Sequence, residues 1–225
     1  MLRPAAPSPP RVGGVLFDHD GTLVDSLAMV VEATNRVLAG HGRPLVAAPV
    51  IIADMIYPTI ERMARHAEAA DPALRQRLAA DFVIEARRSS PALAHPYPGI
   101  AGLLDALRAR GVAMAVVSNN DGVFVRRVMA AHGLAHAFTC VYGEEDMPAP
   151  KPDPRGLIQA AAVMARTAGE CLFVGDSGGD AAAAHAAGMR AVGVTWGIHT
   201  RSQLADMGFD WLIDAPHELL GLLAG

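Results

Sequence analysis

The sequence has few cysteines, no excess of basic residues and no long apolar run, and each shortage excludes a class of protein. Its two cysteines, Cys140 and Cys171, lack the spacing of metal ligands, so we interpret them as buried free thiols in a reducing compartment. A net charge of −4 and a pI near 6.1 argue against a nucleic-acid-binding surface. No apolar run approaches the roughly 18 residues of a membrane span. The Pro-rich residues 1–11 lack an apolar signal-peptide region, and we expect them to form a flexible tail on a cytoplasmic protein.

The rest of the chain alternates strand-like and helix-like segments. Hydrophobic residues make up 52% of its 225 residues, which is enough for one large domain with a real core. The predicted strands are continuously apolar and lie at Val12–Phe17, Val112–Val117, Cys171–Val174, Arg190–Val194 and Trp211–Ile213. Helical patterns separate most of them, including one that follows Pro154 and one that ends at Gly188. This alternation predicts an α/β fold with a doubly wound parallel sheet.

The segment between the first two predicted strands is too long for a single crossover. It contains two helical patterns, "LAMVVEATNRVL" and "DPALRQRLAADFVIEARR". The second begins with Asp71 as its N-cap and Pro72 at its first position. We therefore predict a helical domain at residues 25–98, inserted into an α/β core formed by residues 12–24 and 99–225.

Four polar clusters lie at or near the ends of the predicted strands. They are Asp18-His19-Asp20-Gly21-Thr22, Ser118-Asn119-Asn120, Lys151 between two prolines, and the run "GDSGGD" at 175–180. In an open α/β sheet ligands bind outside the carboxyl ends of the strands, so we expect the clusters to meet in one cleft. If residues 18–20 are extended, Asp18 and Asp20 share one side and the His19 side chain points away from both.

The residue types in these clusters predict a site for an anion and a hard cation. Ser118, with the amides and backbone N–H groups that follow it, suits an anion, and Lys151 supplies a point charge for a phosphate. The cleft would also collect four carboxylates, those of Asp18, Asp20, Asp176 and Asp180. They would repel one another without a cation, and oxygen ligands without a His or Cys cluster favour Mg²⁺.

Taken together, the clusters resemble the four motifs of the haloacid dehalogenase superfamily, in its phosphatase branch. The matching stretches are "DHDGTLVDS", "VSNN", "KPDP" and "GDSGGD". The insertion after the first motif is similar to that of phosphoglycolate-phosphatase-like members, and "PYPGI" at 96–100 resembles the segment that re-enters their core. The resemblance covers the chain after the tail and implies a Rossmann-like core with an inserted all-helical cap domain.

The resemblance also implies an activity, the Mg²⁺-dependent hydrolysis of a small phosphorylated metabolite. Asp18 would be the nucleophile that forms an aspartyl-phosphate, and Asp20 would be the general acid and then the general base. Asp18, the backbone carbonyl of Asp20 and Asp176 would hold the metal ion. Asp180 would bind it directly or orient its waters.

Further residues would hold the substrate. Lys151 and Ser118 would bind the phosphoryl oxygens, and Lys151 would also screen Asp18 from the dianion that it approaches. Backbone N–H groups near Gly21 and Asn119 would complete the phosphate site.

In the cap, residues 53–66 are expected to face the site, with Tyr57 and Arg62 as candidate substrate contacts. Arg62 could pair with a carboxylate or a second phosphate, although a solvated helix face is the alternative for it.

Other members of the superfamily fit the sequence less well. Dehalogenases carry a non-acidic residue at the position of Asp20, and phosphonate-cleaving members use a cap lysine, whereas this insertion has none. Two alternatives stay open: a phosphosugar mutase that uses the same residues, and a non-catalytic metabolite-binding module. The expected partner is a small phosphorylated metabolite, with no nucleic acid or membrane, and the chain would act as a monomer or a homodimer.

Overall fold

A six-stranded sheet forms the centre of the protein in a computed structural model that describes residues 12–89 and 91–223. The predicted tail at residues 1–11 lies outside the described residues. The strands of the sheet are β1 (Gly14–Phe17), β4 (Ala113–Val117), β5 (Cys140–Tyr142), β6 (Cys171–Gly175), β7 (Arg190–Val194) and β8 (Trp211–Ile213). They lie in the order β5-β4-β1-β6-β7-β8, and all their pairings are parallel. A short antiparallel pair, β2 (Val24–Asp25) and β3 (His95–Pro96), lies apart from it. The predicted Rossmann-like α/β fold is confirmed.

The apolar runs form strands because both faces of the sheet are covered. All four residues of β1 are buried. Val15 and Phe17 pack into one hydrophobic cluster, whereas Leu16 packs into a second cluster on the opposite face. Burial on both faces explains why these strands are continuously apolar.

The helices follow their sequence signals closely. They are α1 (Leu27–Gly40), α2 (Ala48–Ala53), α3 (Thr59–His66), α4 (Pro72–Arg88), α5 (Ile100–Ala109), α6 (Gly122–Ala131), α7 (Arg155–Val163), α8 (Gly178–Ala187), α9 (Arg201–Ala205) and α10 (Leu219–Leu222). At the start of α4 the Asp71 carboxylate accepts a hydrogen bond from the backbone N–H of Leu74 at 3.1 Å. At the end of α8, Gly188 adopts the left-handed conformation with φ of 78°, which favours glycine. Among the described residues, no helix is both long and apolar enough to cross a membrane.

Helices α1 to α4 form the inserted part of the chain. The chain leaves the core through β2 and returns through β3, and these two strands pair so that Val24 lies opposite Pro96. Helix α4 packs against α1 and α3 and buries Leu78 and Phe82. The predicted boundaries, 12–24 and 99–225 for the core and 25–98 for the cap, stay a prediction.

Strand β5 was not predicted from the sequence. It has three residues, it lies at the edge of the sheet, and each of its residues is only partly buried. Cys140 in this strand is therefore only partly buried, whereas Cys171 is buried as expected, and both are free thiols.

Candidate active site

The carboxyl ends of three adjacent strands carry three of the four polar clusters. Asp18 directly follows β1, Ser118 follows β4 and Asp176 follows β6, and β1 lies between the other two. The backbone N–H of Asp18 donates to the carbonyl of Val174 at 2.8 Å, which fixes the first aspartate against the neighbouring strand. The topology thus brings together residues that lie up to about 160 positions apart in the sequence.

These strand ends surround a cavity of about 160 Å³, here called the acidic cavity. Its lining consists of Asp18, Asp20, Ser118, Asn119, Asn120, Lys151, Ser177, Gly179 and Asp180. Six of these residues belong to the predicted site. Asn120, Ser177 and Gly179 were not among the predicted site residues.

Lys151 is the one lysine in the sequence, and it is buried between two acids. Its Nζ donates to Asp18 Oδ1 at 2.6 Å and to Asp180 Oδ1 at 2.7 Å. Burial disfavours the charged ammonium, but the two carboxylates outweigh this and raise the pKa of Lys151 above its usual value. The site therefore contains a fixed positive charge beside Asp18.

Three buried carboxylates lie close together, those of Asp18, Asp176 and Asp180, here called the carboxylate cluster. Each offers one oxygen, and these oxygens lie within 4.8 Å of one another. Burial, partly offset by Lys151, raises the pKa of Asp18 to about 7. Burial and the charges of Asp18 and Asp180 raise the pKa of Asp176 well above its usual range. An oxygen-only donor set with unfavourable mutual repulsion fits a hard divalent cation.

Asp180 is the most constrained member of the carboxylate cluster. Its Oδ2 accepts hydrogen bonds from Ser177 Oγ at 2.6 Å and from the backbone N–H groups of Ser177 at 3.0 Å and Asp176 at 3.2 Å. Its Oδ1 accepts from Lys151. Because both oxygens already have donors, the geometry favours an orienting role for Asp180. Ser177 is the N-cap of α8, with Asp180 three residues later, and this capping-box spacing is a sequence signal that identifies it.

Gly21 has a different role from the one predicted. Its backbone N–H donates to the carbonyl of Val24 at 2.9 Å, so it is not free to bind a phosphate. Its φ is 76°, and a Cβ at this position would overlap the carboxylate of Asp176. Glycine is therefore needed here for the turn and for the close approach of Asp176.

The loop after β4 uses both of its asparagine side chains. Asn119 Oδ1 accepts from the backbone N–H of Lys151 at 2.7 Å, and its Nδ2 donates to the Lys151 carbonyl at 2.9 Å. Asn120 Nδ2 donates to Asp20 Oδ2 at 2.8 Å. Neither contact has a local sequence signal, because the partners are 32 and 100 residues apart.

Asp20 lies in an environment that favours its charged form. Burial on its own raises the pKa of this carboxyl group. The interaction with His19, the nearby Ser26 hydroxyl and the hydrogen bond from Asn120 outweigh burial and lower the pKa of Asp20 to about 2.

The predicted orientation of His19 is wrong with respect to Asp20. The ring is fully buried and packs edge-on against Phe124, with centroids 5.9 Å apart. Its Nδ1 nevertheless lies 3.3 Å from Asp20 Oδ2. Strand β1 ends at Phe17 and the chain then turns, so the alternation of an extended strand does not apply to residues 18–20.

The two cap residues singled out from the sequence lie in different surroundings. Arg62 on α3 is 5% exposed, its guanidinium lies 4.9 Å from the centre of the Phe82 ring, and its Nε has no hydrogen-bond partner among the described residues. Burial lowers the pKa of Arg62 to about 10, against an attraction to Asp20. Tyr57 is partly buried and packs under Arg65, whose guanidinium lies 4.3 Å from the ring centre. Arg62 is thus a buried cation packed on Phe82, and its predicted alternative as a solvated residue is wrong.

Comparisons with known proteins agree with the fold. Residues 15–194 match the family model of the haloacid dehalogenase-like hydrolases. Phosphoglycolate phosphatase 1 of Pseudomonas aeruginosa is 32% identical over 217 residues, covering 92% of this chain and 78% of that protein. Phosphoglycolate phosphatase of Haemophilus influenzae is 30% identical over 221 residues, covering 92% of this chain and 96% of that protein.

Solved structures are similar over nearly the whole chain. The structure of a predicted phosphoglycolate phosphatase from Haemophilus somnus has a TM-score of 0.81 at 27% identity, covering 93% of this chain and 97% of that one. A haloacid dehalogenase-like family hydrolase from Streptococcus pneumoniae has a TM-score of 0.82 at 22% identity, covering 94% of this chain and 98% of that one, and this likeness concerns the fold alone. On the family match and the sequence identities, the chain belongs to the haloacid dehalogenase-like hydrolases.

Proposed function

We propose that this protein is a Mg²⁺-dependent phosphatase that hydrolyses a small phosphorylated metabolite through an aspartyl-phosphate on Asp18. The observation that carries the proposal is the contact of Lys151 Nζ with Asp18 Oδ1 at 2.6 Å in the wall of the acidic cavity. A carboxylate held beside a fixed cation can approach an anionic phosphoryl group. The relatives named phosphoglycolate phosphatases support the same class of reaction.

In the first half of the reaction, Asp18 attacks the phosphorus atom. A bond forms between a carboxylate oxygen and phosphorus, and the bond from phosphorus to the leaving oxygen breaks. Asp20 donates a proton to that leaving oxygen. The negative charge of a bound phosphoryl group raises the pKa of Asp20 above its low value, because a nearby negative charge favours the protonated form.

In the second half, water hydrolyses the aspartyl-phosphate. Asp20, now ionised, accepts a proton from the attacking water, which releases phosphate and restores the Asp18 carboxylate. Lys151, Ser118 and the backbone near Asn119 bind the phosphoryl oxygens, and the N–H of Gly21 is left out of this set because it bonds to Val24.

The metal ion would be held by Asp18, Asp176 and the backbone carbonyl of Asp20, with Asp180 orienting the site. When bound, Mg²⁺ supplies positive charge that offsets the repulsion within the carboxylate cluster and stabilises the transferring phosphoryl group. The oxygen-only donor set and the raised pKa values of Asp18 and Asp176 support this assignment.

The first test measures phosphate release from a panel of phosphorylated metabolites and from p-nitrophenyl phosphate, with Mg²⁺ and with EDTA. We expect fast release from one or a few small organic phosphates, and loss of this activity in EDTA that is restored by excess Mg²⁺. Transfer of phosphate between sugar positions without release would instead indicate a mutase. No turnover of any compound would contradict the proposed function.

We also propose that the helical insertion at residues 25–98 acts as a cap that selects the substrate, with Arg62 as the contact for a second anionic group and Tyr57 as a neighbouring contact. The support is a guanidinium that is buried, attracted to Asp20, and incompletely hydrogen-bonded. A buried cation of this kind is favoured when a ligand carboxylate or phosphate pairs with it.

Replacing Arg62 with methionine keeps most of the side-chain volume and removes the charge. We expect kcat/KM for 2-phosphoglycolate to fall by about 10- to 100-fold, the worth of a charge-assisted hydrogen bond. The value of kcat/KM for p-nitrophenyl phosphate, which has no carboxylate, should fall much less. Arg77→Met, in the exposed face of α4, is the matched control. Equal losses on both substrates would contradict a contact with a second anion.

A further inference from the structure

An ion pair joins the helical insertion to the loop that lines the acidic cavity. Arg87 lies in the last turn of α4. Its Nε donates to Asp121 Oδ1 at 2.9 Å, and its Nη2 donates to the other oxygen of the same carboxylate. Arg127 on α6 donates in turn to the backbone carbonyl of Arg87. The end of α4 is therefore attached to the core through the N-cap of α6 and through one side chain in the middle of that helix.

The hydrogen bonds continue from Asp121 to the proposed general acid. The backbone N–H of Asp121 donates to Asn120 Oδ1 at 2.8 Å, and Asn120 Nδ2 donates to Asp20 Oδ2 at 2.8 Å. Because the amide oxygen accepts and the amide nitrogen donates, both ends of the Asn120 side chain are fixed. Arg87, Asp121, Asn120 and Asp20 thus form one connected series from the insertion to the cavity.

The last bond of the series determines how the Asp20 carboxyl group is turned. Asp20 Oδ2 accepts from Asn120, whereas Oδ1 is buried and has no hydrogen-bond partner among the described residues. The Asp20 side chain is 23% exposed and lines the acidic cavity although Oδ1 has almost no accessible surface, so Oδ2 is the oxygen that faces the cavity, and Asn120 holds it there. The oxygen that faces the cavity is the one that can exchange a proton with a substrate atom.

We propose that Asn120 is a positioning residue that holds Asp20 Oδ2 towards the leaving oxygen, and that the Arg87–Asp121 ion pair makes this orientation depend on how the helical insertion packs on the core. The inference rests on the proposed function, in which Asp20 protonates the leaving group. Movement of the insertion away from the core breaks the ion pair. Asp121 and Asn120 are then less restrained, and the Asp20 carboxyl group is no longer held in one orientation. Closure and proton donation are linked in this way by contacts between side chains and backbone.

The test uses the dependence of the rate on the leaving group. An alkyl phosphate needs its leaving oxygen protonated, whereas p-nitrophenolate leaves readily without a proton. For Asn120→Ala, we expect the loss of kcat on 2-phosphoglycolate to exceed the loss on p-nitrophenyl phosphate by at least about tenfold, a part of the 10²–10⁴ that a positioned acid contributes. A merely structural role would lower both rates by the same factor, and that result would overturn the proposal.

The second arm tests the connection to the insertion. Arg87→Gln removes the ion pair, and Asp121→Asn removes the charge while keeping an oxygen that can cap Phe124 N–H, which the carboxylate now accepts at 2.9 Å. Both variants should show the same selective loss on 2-phosphoglycolate, by about three- to tenfold. Arg88→Gln is the matched control, because Arg88 pairs within α4, with Glu85 at 3.1 Å, and with no other acid in the described part of the chain.

The outcomes separate the inference from the proposed function. If the wild-type protein hydrolyses neither substrate, the proposed function fails and the inference fails with it. If the wild-type protein is active but Arg87→Gln behaves like Arg88→Gln, the function stands and the link to the insertion is refuted.

Discussion

Replacing Asp18 with asparagine is expected to lower kcat for phosphate release by at least about four orders of magnitude, because an amide oxygen is a poor nucleophile and cannot form the aspartyl-phosphate. The change keeps the shape of a side chain that is buried at the end of β1. Lys151 keeps its second partner, Asp180, at 2.7 Å. The loss should therefore arise from chemistry and not from unfolding. The measurement is phosphate release in Mg²⁺ from the best substrate of the panel.

The control for this result is Asp206→Asn, the same substitution at an exposed aspartate, which should leave kcat unchanged. The melting temperatures of all three proteins should be compared in the same buffer, so that a folding defect is detected independently. If Asp18→Asn keeps a rate within tenfold of the wild type, Asp18 is not the nucleophile.

Replacing Asp176 with asparagine is expected to abolish Mg²⁺-dependent activity and, in EDTA, to raise the melting temperature. The pKa of Asp176 is raised by burial and by the charges of Asp18 and Asp180, so its ionised form is destabilising when no cation is present. The amide removes this charge and keeps an oxygen for the backbone N–H of Ile198, now 3.5 Å away. A gain of about 2–4 °C corresponds to roughly 1 kcal/mol in a chain of this length.

Scanning fluorimetry with and without Mg²⁺ checks this prediction. The wild-type protein should melt at a higher temperature in Mg²⁺ than in EDTA, because the ion binds the folded state. Asp176→Asn should lose most of that difference, and Asp206→Asn should keep it. A variant that melts lower in EDTA and still responds to Mg²⁺ would show that the carboxylate cluster is not the metal site. A site that lowers stability in exchange for function is common in enzymes.

Most of the sheet and several helix ends could be predicted because their signals are local. Strands β7 and β8 have the predicted bounds, because a short, continuously apolar run is typical of a strand that is buried on both faces of a parallel sheet. Helix α4 begins at Pro72 after its Asp71 cap. Strand β5 was missed because a short, half-exposed edge strand carries too little apolar pattern to distinguish it from a loop.

The site was most directly predictable where residue type and strand end coincide. Asp18, Ser118 and Asp176 follow strands, so parallel topology alone brings them together. Asn120 and Arg87 act through partners at 100 and 34 residues' separation, and no pattern within a single segment identifies such pairs. The side chain of His19 was misplaced because the strand that would have fixed its direction ends two residues earlier.

The pairing of β2 with β3 places the two ends of the helical insertion side by side, with Asp25 opposite His95. Because the two ends of the insertion pair with each other, the core can fold in the same way with insertions of different length. The entropy cost of closing the loop changes only slowly with the length of the intervening chain. The sheet and its strand-end acids can therefore persist through evolution while the inserted helices are lengthened, shortened or exchanged. The catalytic residues of the core and the substrate-selecting residues of the insertion would then diversify separately, each in its own part of the sequence.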